Sequence, residues 1–81
     1  MILSTDETTA APRRTQATRR RESDNRMLRA AERLIAERGV AGTSLADVGV
    51  AAGYSRGLPV ERFGSKVGLV RALLESMDGW F

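Results

Sequence analysis

An all-α fold is predicted for this chain: three helices in a helix-turn-helix layout, followed by the start of a fourth, amphipathic helix. Three observations lead there. From Arg26 onward the apolar residues recur at helical rather than alternating spacing. Ser or Gly stands at nearly every expected helix boundary. Two short helical segments, about Leu45–Ala52 and Arg56–Phe63, flank a three-residue turn that contains glycine.

Residues 1–22 hold Met1, Ile2 and Leu3 as their only large apolar side chains, with no glycine, and are rich in Thr, Ala and Arg. Such a stretch buries too little surface to offset its ordering entropy, so a flexible basic arm is expected there. Residues 23–81 then form the folded unit, with the motif at about 44–63. Met27, Leu28, Ala31, Leu34 and Ile35 fall on one face about 120° wide, the usual width of a core-facing stripe. Ser23 or Asp24 suits its N-cap, and Gly39 the left-handed residue past its last turn. Arg26, Arg29 and Arg33 line the opposite face, where Glu22 and Glu37 at i, i+4 spacing favour an ion-paired surface.

Ser44 and Asp47 have capping-box spacing, with Asp in place of Glu or Gln. Leu45, Val48, Ala51 and Ala52 give the second helix a face of small residues that lets another helix approach closely. Gly53 ends that helix, Gly53-Tyr54-Ser55 form the turn, and Ser55 is placed to cap the third. Gly64 closes the third helix and Ser65 caps the fourth. There Val67, Leu69, Val70, Leu73, Leu74, Met77, Trp80 and Phe81 span about 160° of one face, more than a three-helix unit needs. The excess is expected to be surface for a partner or for a domain absent from these residues.

Composition narrows the function. The 81 residues include no Cys and no His, which removes disulfides, Cys/His metal sites and histidine-based catalysis. No serine has a base to activate it, and no phosphate-binding loop or dinucleotide fingerprint stands among the glycines, so no enzyme, cofactor or metal is expected. No apolar run approaches the ~20 residues of a membrane span, and Met1–Glu7 lacks the pattern of a secretory signal, which leads to the expectation of a cytoplasmic chain. The net charge of +3 is unevenly placed. Residues 13–33 carry eight arginines against three acids, whereas residues 34–81 balance. Polyanion binding and a solvated tail are both consistent with that block.

Taken together, Leu28–Gly39 (LRAAERLIAERG), Gly42–Val48 (GTSLADV), Ala52–Gly57 (AGYSRG) and Phe63–Lys66 (FGSK) with Leu69 resemble the DNA-binding domain of the tetracycline-repressor (TetR) family. The resemblance covers about Asp24 to Phe81. It implies a homeodomain-like helix-turn-helix that binds double-stranded DNA within a transcriptional regulator, a repressor, associated with the bacterial nucleoid when bound. It also implies a C-terminal domain for effector binding and homodimerisation, expected to be absent from these 81 residues. By the same resemblance Ser44, Ser55 and Lys66 contact phosphates, and Arg56, Gly57, Leu58 and Glu61 lie where base edges or backbone approach. Arg62 occupies the position where the family usually has His, and keeps a donor for phosphate or guanine.

Two positions depart from the family pattern. Val60 stands where a tyrosine hydroxyl would reach the DNA backbone. Pro59, four residues after Ser55, removes an i→i−4 bond and crowds the Ser55 carbonyl, so the start of the recognition helix is expected to be opened or shifted. Two other readings remain at this stage: a protein-interaction module using the apolar face of the last helix, and, more weakly, a membrane-surface helix made from 13–33.

Overall fold

A computed structural model describes residues 15–78, which form four helices: α1 (Gln16–Arg38), α2 (Leu45–Ala51), α3 (Leu58–Phe63) and α4 (Lys66–Asp78). No strand occurs among the described residues.

The first helix begins earlier than expected. Thr15, not Ser23 or Asp24, is its N-cap, with Oγ1 accepting from the Thr18 amide at 3.0 Å. Residues 16–22 are therefore helical rather than part of an arm; residues 1–14 lie outside the described chain. Propagation explains the difference. Once the packed half of a helix exists, each residue added at its end makes a hydrogen bond without a new nucleation cost, and Arg, Ala and Gln are good helix formers. Ser23 sits inside the helix and donates its hydroxyl to the Arg20 carbonyl at 2.9 Å, a common mid-helix alternative to capping.

The expected face of α1 is the buried one: Met27, Ala31 and Leu34, joined by Ala30, with Leu28 and Ile35 partly covered. The core is completed by Val48 of α2 and Leu69 of α4. Leu45, Ala52, Tyr54, Leu58 and Phe63 pack around it.

Helix α2 starts at Ser44 and ends in a Schellman arrangement. The amide of Tyr54 donates to the Gly49 carbonyl at 2.9 Å and that of Gly53 to Val50 at 3.0 Å, with Gly53 at φ +88°. Its buried face differs from the expected one in two residues: Gly49 is buried and Ala51 is exposed. A Cβ on Gly49 would collide with the Ser55 carbonyl oxygen and lie 3.0 Å from Pro59 Cδ, so the α2–α3 crossing is set by the missing side chain.

Helix α3 starts at Leu58, two residues later than expected. Gly57 is its N-cap and makes no side-chain cap bond, so Ser55 does not cap it. Pro59 is the cause. It has no N–H to offer the Ser55 carbonyl, the Leu58 amide closes a turn on that carbonyl at 3.4 Å, and the first i→i−4 bond runs from Glu61 to Gly57 at 3.2 Å. Proline is well tolerated within the first turn, and here it is buried as a packing residue.

Ser65 caps α4 as expected, accepting from the Gly68 amide at 3.1 Å. Of the α4 stripe, Leu69 is buried and Val70 and Leu73 are partly so, whereas Val67, Leu74 and Met77 are exposed. Trp80 and Phe81 lie outside the described residues.

Candidate nucleic-acid interface

The corner made by α2, the turn and α3 is held from both ends. At the start of α2, Ser44 and Asp47 form a reciprocal capping box: Ser44 Oγ accepts from the Asp47 amide at 3.0 Å, and Asp47 Oδ2 accepts from the Ser44 amide at 3.4 Å. Arg38, the last residue of α1, donates to the same Oδ2 at 3.2 Å and so ties α1 to α2. Hydrogen bonds from Ser44, hydroxyl first and backbone amide second, hold the Asp47 carboxyl below the usual aspartate range; Arg38 adds to this and desolvation opposes it.

A depressed folded pKa means that Asp47 stabilises the fold fully above the ordinary aspartate value of about 3.9, and that this contribution is lost as pH falls through the lower folded value. In an NMR titration the Asp47 carboxyl is expected to titrate below that ordinary value. Ser44→Ala moves it upward by removing the largest cause. An unchanged Asp47 midpoint in that variant contradicts the assignment.

Beyond α2 the backbone turns at Gly53 and leaves Ser55, Arg56 and Gly57 exposed on the approach to α3. A Cβ at Gly57 would have nothing within 4 Å, so the backbone is open to a close approach there. Val60 and Glu61 continue this exposed surface along α3.

Three of the expected contacts stand differently. Leu58 is partly buried and packs against the core, so its side chain helps to seat α3. Arg62 reaches back to α1, where Nη2 lies 2.8 Å from Asp24 Oδ2 and 3.4 Å from the Arg20 carbonyl, and Nη1 lies 3.2 Å from Ser23 Oγ. Only 12% of its side chain is exposed, and its donors are engaged by α1. Lys66, at the start of α4, donates to the Val40 carbonyl at 3.0 Å. Its ammonium carries three protons, so the bond to Val40 orients the group and leaves donors for a phosphate.

One feature of this surface escaped sequence reasoning. Gln16, Arg19, Arg20, Glu22, Ser23, Tyr54 and Arg62 line a groove of about 400 Å³ between the first turns of α1 and the α2–α3 corner. The sequence signal for it was Thr15 followed by strong helix formers, which extends α1 far enough to bring its arginines there.

No group of three or more potential metal-ligating side chains occurs among the described residues. No helix among them is long and apolar enough to cross a membrane.

The family model described as "Bacterial regulatory proteins, tetR family" matches residues 27–73, which takes in α2, α3, most of the buried face of α1 and the first half of α4. The chain belongs to the TetR family. Similar curated proteins are the HTH-type transcriptional regulators TtgR and CymR, both of Pseudomonas putida. TtgR is 45% identical over 56 residues, covering 69% of this chain and 27% of TtgR. CymR is 43% identical over 63 residues, covering 78% of this chain and 31% of CymR. This TetR-family chain thus spans about a quarter to a third of the length of the relatives it matches. No solved structure matches it. TetR-family proteins are DNA-binding transcriptional regulators, and the relatives matched here are regulators rather than enzymes.

Proposed function

We propose that this chain binds double-stranded DNA sequence-specifically as the DNA-reading part of a transcriptional repressor in the bacterial cytoplasm, associated with the nucleoid when bound. The observation that carries this reading is the exposed turn of Ser55, Arg56 and Gly57 leading into α3, on a corner fixed by Gly49 and Pro59. In the proposed complex the outer face of α3 enters the major groove, where each base pair presents a distinct pattern of donors and acceptors. Arg56 supplies the long donor for a base edge or phosphate, Gly57 the close backbone approach, and Glu61 an acceptor for a base amine. Ser44, Ser55 and Lys66 bind the phosphate strands on either side. Homodimerisation, through a segment beyond these 81 residues, supplies the second half-site.

Fluorescence anisotropy on a labelled duplex of about 30 base pairs tests the reading. Without a partner's half-site the isolated chain is expected to bind weakly, with Kd of about 10⁻⁴–10⁻⁶ M at physiological salt and log K falling by about 0.9 per phosphate contacted for each decade of salt. Arg56→Ala is expected to weaken binding several-fold without lowering the melting temperature, since Arg56 is exposed. Absence of any binding at about 50 mM salt, where the electrostatic contribution is strong, sinks the proposal.

A second reading draws on α4. Val40, Val67, Val70 and Leu74, with the stems of Lys66 and Arg71, line an apolar groove of about 440 Å³, a surface suited to protein contact. Light scattering after gel filtration separates the two readings. A chain that stays monomeric at every concentration speaks against self-association through that face.

A further inference from the structure

Helix α3 has little to hold it in place by itself. It is six residues long, has no side-chain N-cap bond and carries proline in its first turn. Isolated helices of this length are unstable in water, so the orientation of α3 must come from tertiary contacts. At its N-terminal end that contact is Pro59 against Gly49. At its C-terminal end Phe63 packs against the core, and the Arg62 guanidinium bridges to α1 through three acceptors on one side of that helix: the Arg20 carbonyl, Ser23 Oγ and Asp24 Oδ2. Ser23 is itself buried, and its hydroxyl is oriented by donating to the same Arg20 carbonyl. The other oxygen of Asp24, Oδ1, is buried with no hydrogen-bond partner, so the carboxylate is compensated from one side only, by Arg62.

We propose that Arg62 and Asp24 form a positioning pair that sets the angle of α3 against α1, making Asp24, a residue outside the α2–turn–α3 corner, a determinant of DNA affinity. This rests on reading α3 as the DNA-reading helix. It assigns Arg62 the opposite role from a phosphate contact, and the two roles differ in sign. If Arg62 binds phosphate, Asp24 competes with DNA for it, and neutralising Asp24 strengthens binding. If Arg62 positions α3, neutralising Asp24 releases the helix and weakens binding. Lysine separates the roles again: it serves a phosphate as a point charge but cannot reproduce a planar fork that spans three acceptors.

The experiment uses the full 81-residue chain and its Asp24→Asn, Arg62→Lys, Arg62→Gln and Asp24→Asn/Arg62→Lys variants, with anisotropy on a mixed-sequence duplex of about 30 base pairs between about 50 and 200 mM salt. Asp24→Asn and Arg62→Lys are each expected to weaken binding about five- to tenfold with an unchanged salt slope, and the double variant to lose no more than either single one. Arg62→Gln is expected to match Arg62→Lys. The proposal is overturned if Asp24→Asn binds more tightly, if Arg62→Lys binds like the parent, or if Arg62→Gln reduces the salt slope by about 0.9. Circular dichroism melts verify that each variant folds. If Arg62→Gln does not, Arg62→Lys and Asp24→Asn decide.

A second readout needs no DNA. In amide chemical-shift spectra, Asp24→Asn is expected to move the α3 amides of Leu58, Val60, Glu61 and Phe63 while those of α2 stay in place. Shifts confined to α1 overturn the positioning role. This readout still decides the question if the parent chain proves not to bind DNA, which is a failure of the functional reading and not of the pair.

Discussion

Met27→Ala is expected to remove a large share of the stability of this domain. Met27 is fully buried in the cluster that joins α1 to Val48 of α2 and Leu69 of α4. Truncating a buried Met to Ala costs about 2–5 kcal/mol, from lost burial plus the cavity left behind. A chain of this length is stable by only roughly 4–12 kcal/mol, so the loss is a large fraction of the total. The cluster that Met27 shares with Ala30, Ala31, Leu34, Val48 and Leu69 draws on three helices, so the cavity opens where α1, α2 and α4 meet. Urea unfolding followed by far-ultraviolet circular dichroism should show a midpoint shifted far to lower denaturant with little change in slope. DNA affinity should fall with the folded fraction and recover at temperatures where the variant is folded. A loss below about 1 kcal/mol would falsify the central placement of Met27.

What could be read from the sequence divides along a physical line. Features fixed by short-range chemistry were legible. Gly39, Gly53 and Gly64 each adopt positive φ where a helix was expected to stop, and Ser44 and Ser65 cap where helices were expected to start. The buried stripe of α1 was legible because its spacing is regular over several turns. The misreadings arose where a distant partner or a neighbouring helix decides. The Arg-rich turns at 16–22 bury almost nothing, so their helicity comes from the packed half of α1 and leaves no apolar pattern. Gly49 carries no side chain to enter a periodicity count, yet it is the residue at the α2–α3 crossing.

The candidate site shows the same division. Ser55, Arg56, Gly57 and Glu61, which the resemblance singles out, are exposed. Leu58 packs toward the core and Arg62 pairs with Asp24, placements that hang on Pro59 and on a residue 38 positions earlier in the chain and so leave no local pattern. The uneven charge changes meaning accordingly. Part of the basic block is structural surface on an extended α1, with Arg19 and Arg20 beside the groove that Arg62 crosses.

Gly49→Val is expected to be the most damaging single change at the α2–α3 corner. Two effects oppose each other. Replacing glycine inside a helix gains some backbone entropy, about 0.5–1 kcal/mol for Ala and less for a β-branched residue. Against this, the new Cβ meets the Ser55 carbonyl oxygen and the Pro59 ring, and neither is the flexible end of a side chain. The carbonyl is held by the turn, where it accepts from the Leu58 amide, and the proline ring is fixed in φ and buried. Relief therefore requires α3 to move away from α2 as a body. Overpacking of this kind costs about 1–3 kcal/mol, which exceeds the entropic gain, and the two additional methyls of valine enlarge it. Moving the Ser55 carbonyl also strains the adjoining turn, whose Tyr54 amide bonds the Gly49 carbonyl, so the cost is not confined to packing. The expected result is a melting temperature lower by on the order of 10 °C, with duplex binding reduced beyond what the unfolded fraction explains. Gly57→Ala is the control. Gly57 has helical φ and ψ with open space around it, so alanine should leave the melt unchanged or raise it slightly while weakening binding through the lost close approach. A Gly49→Val chain that melts like the parent would show that α3 does not rest on α2 through this contact.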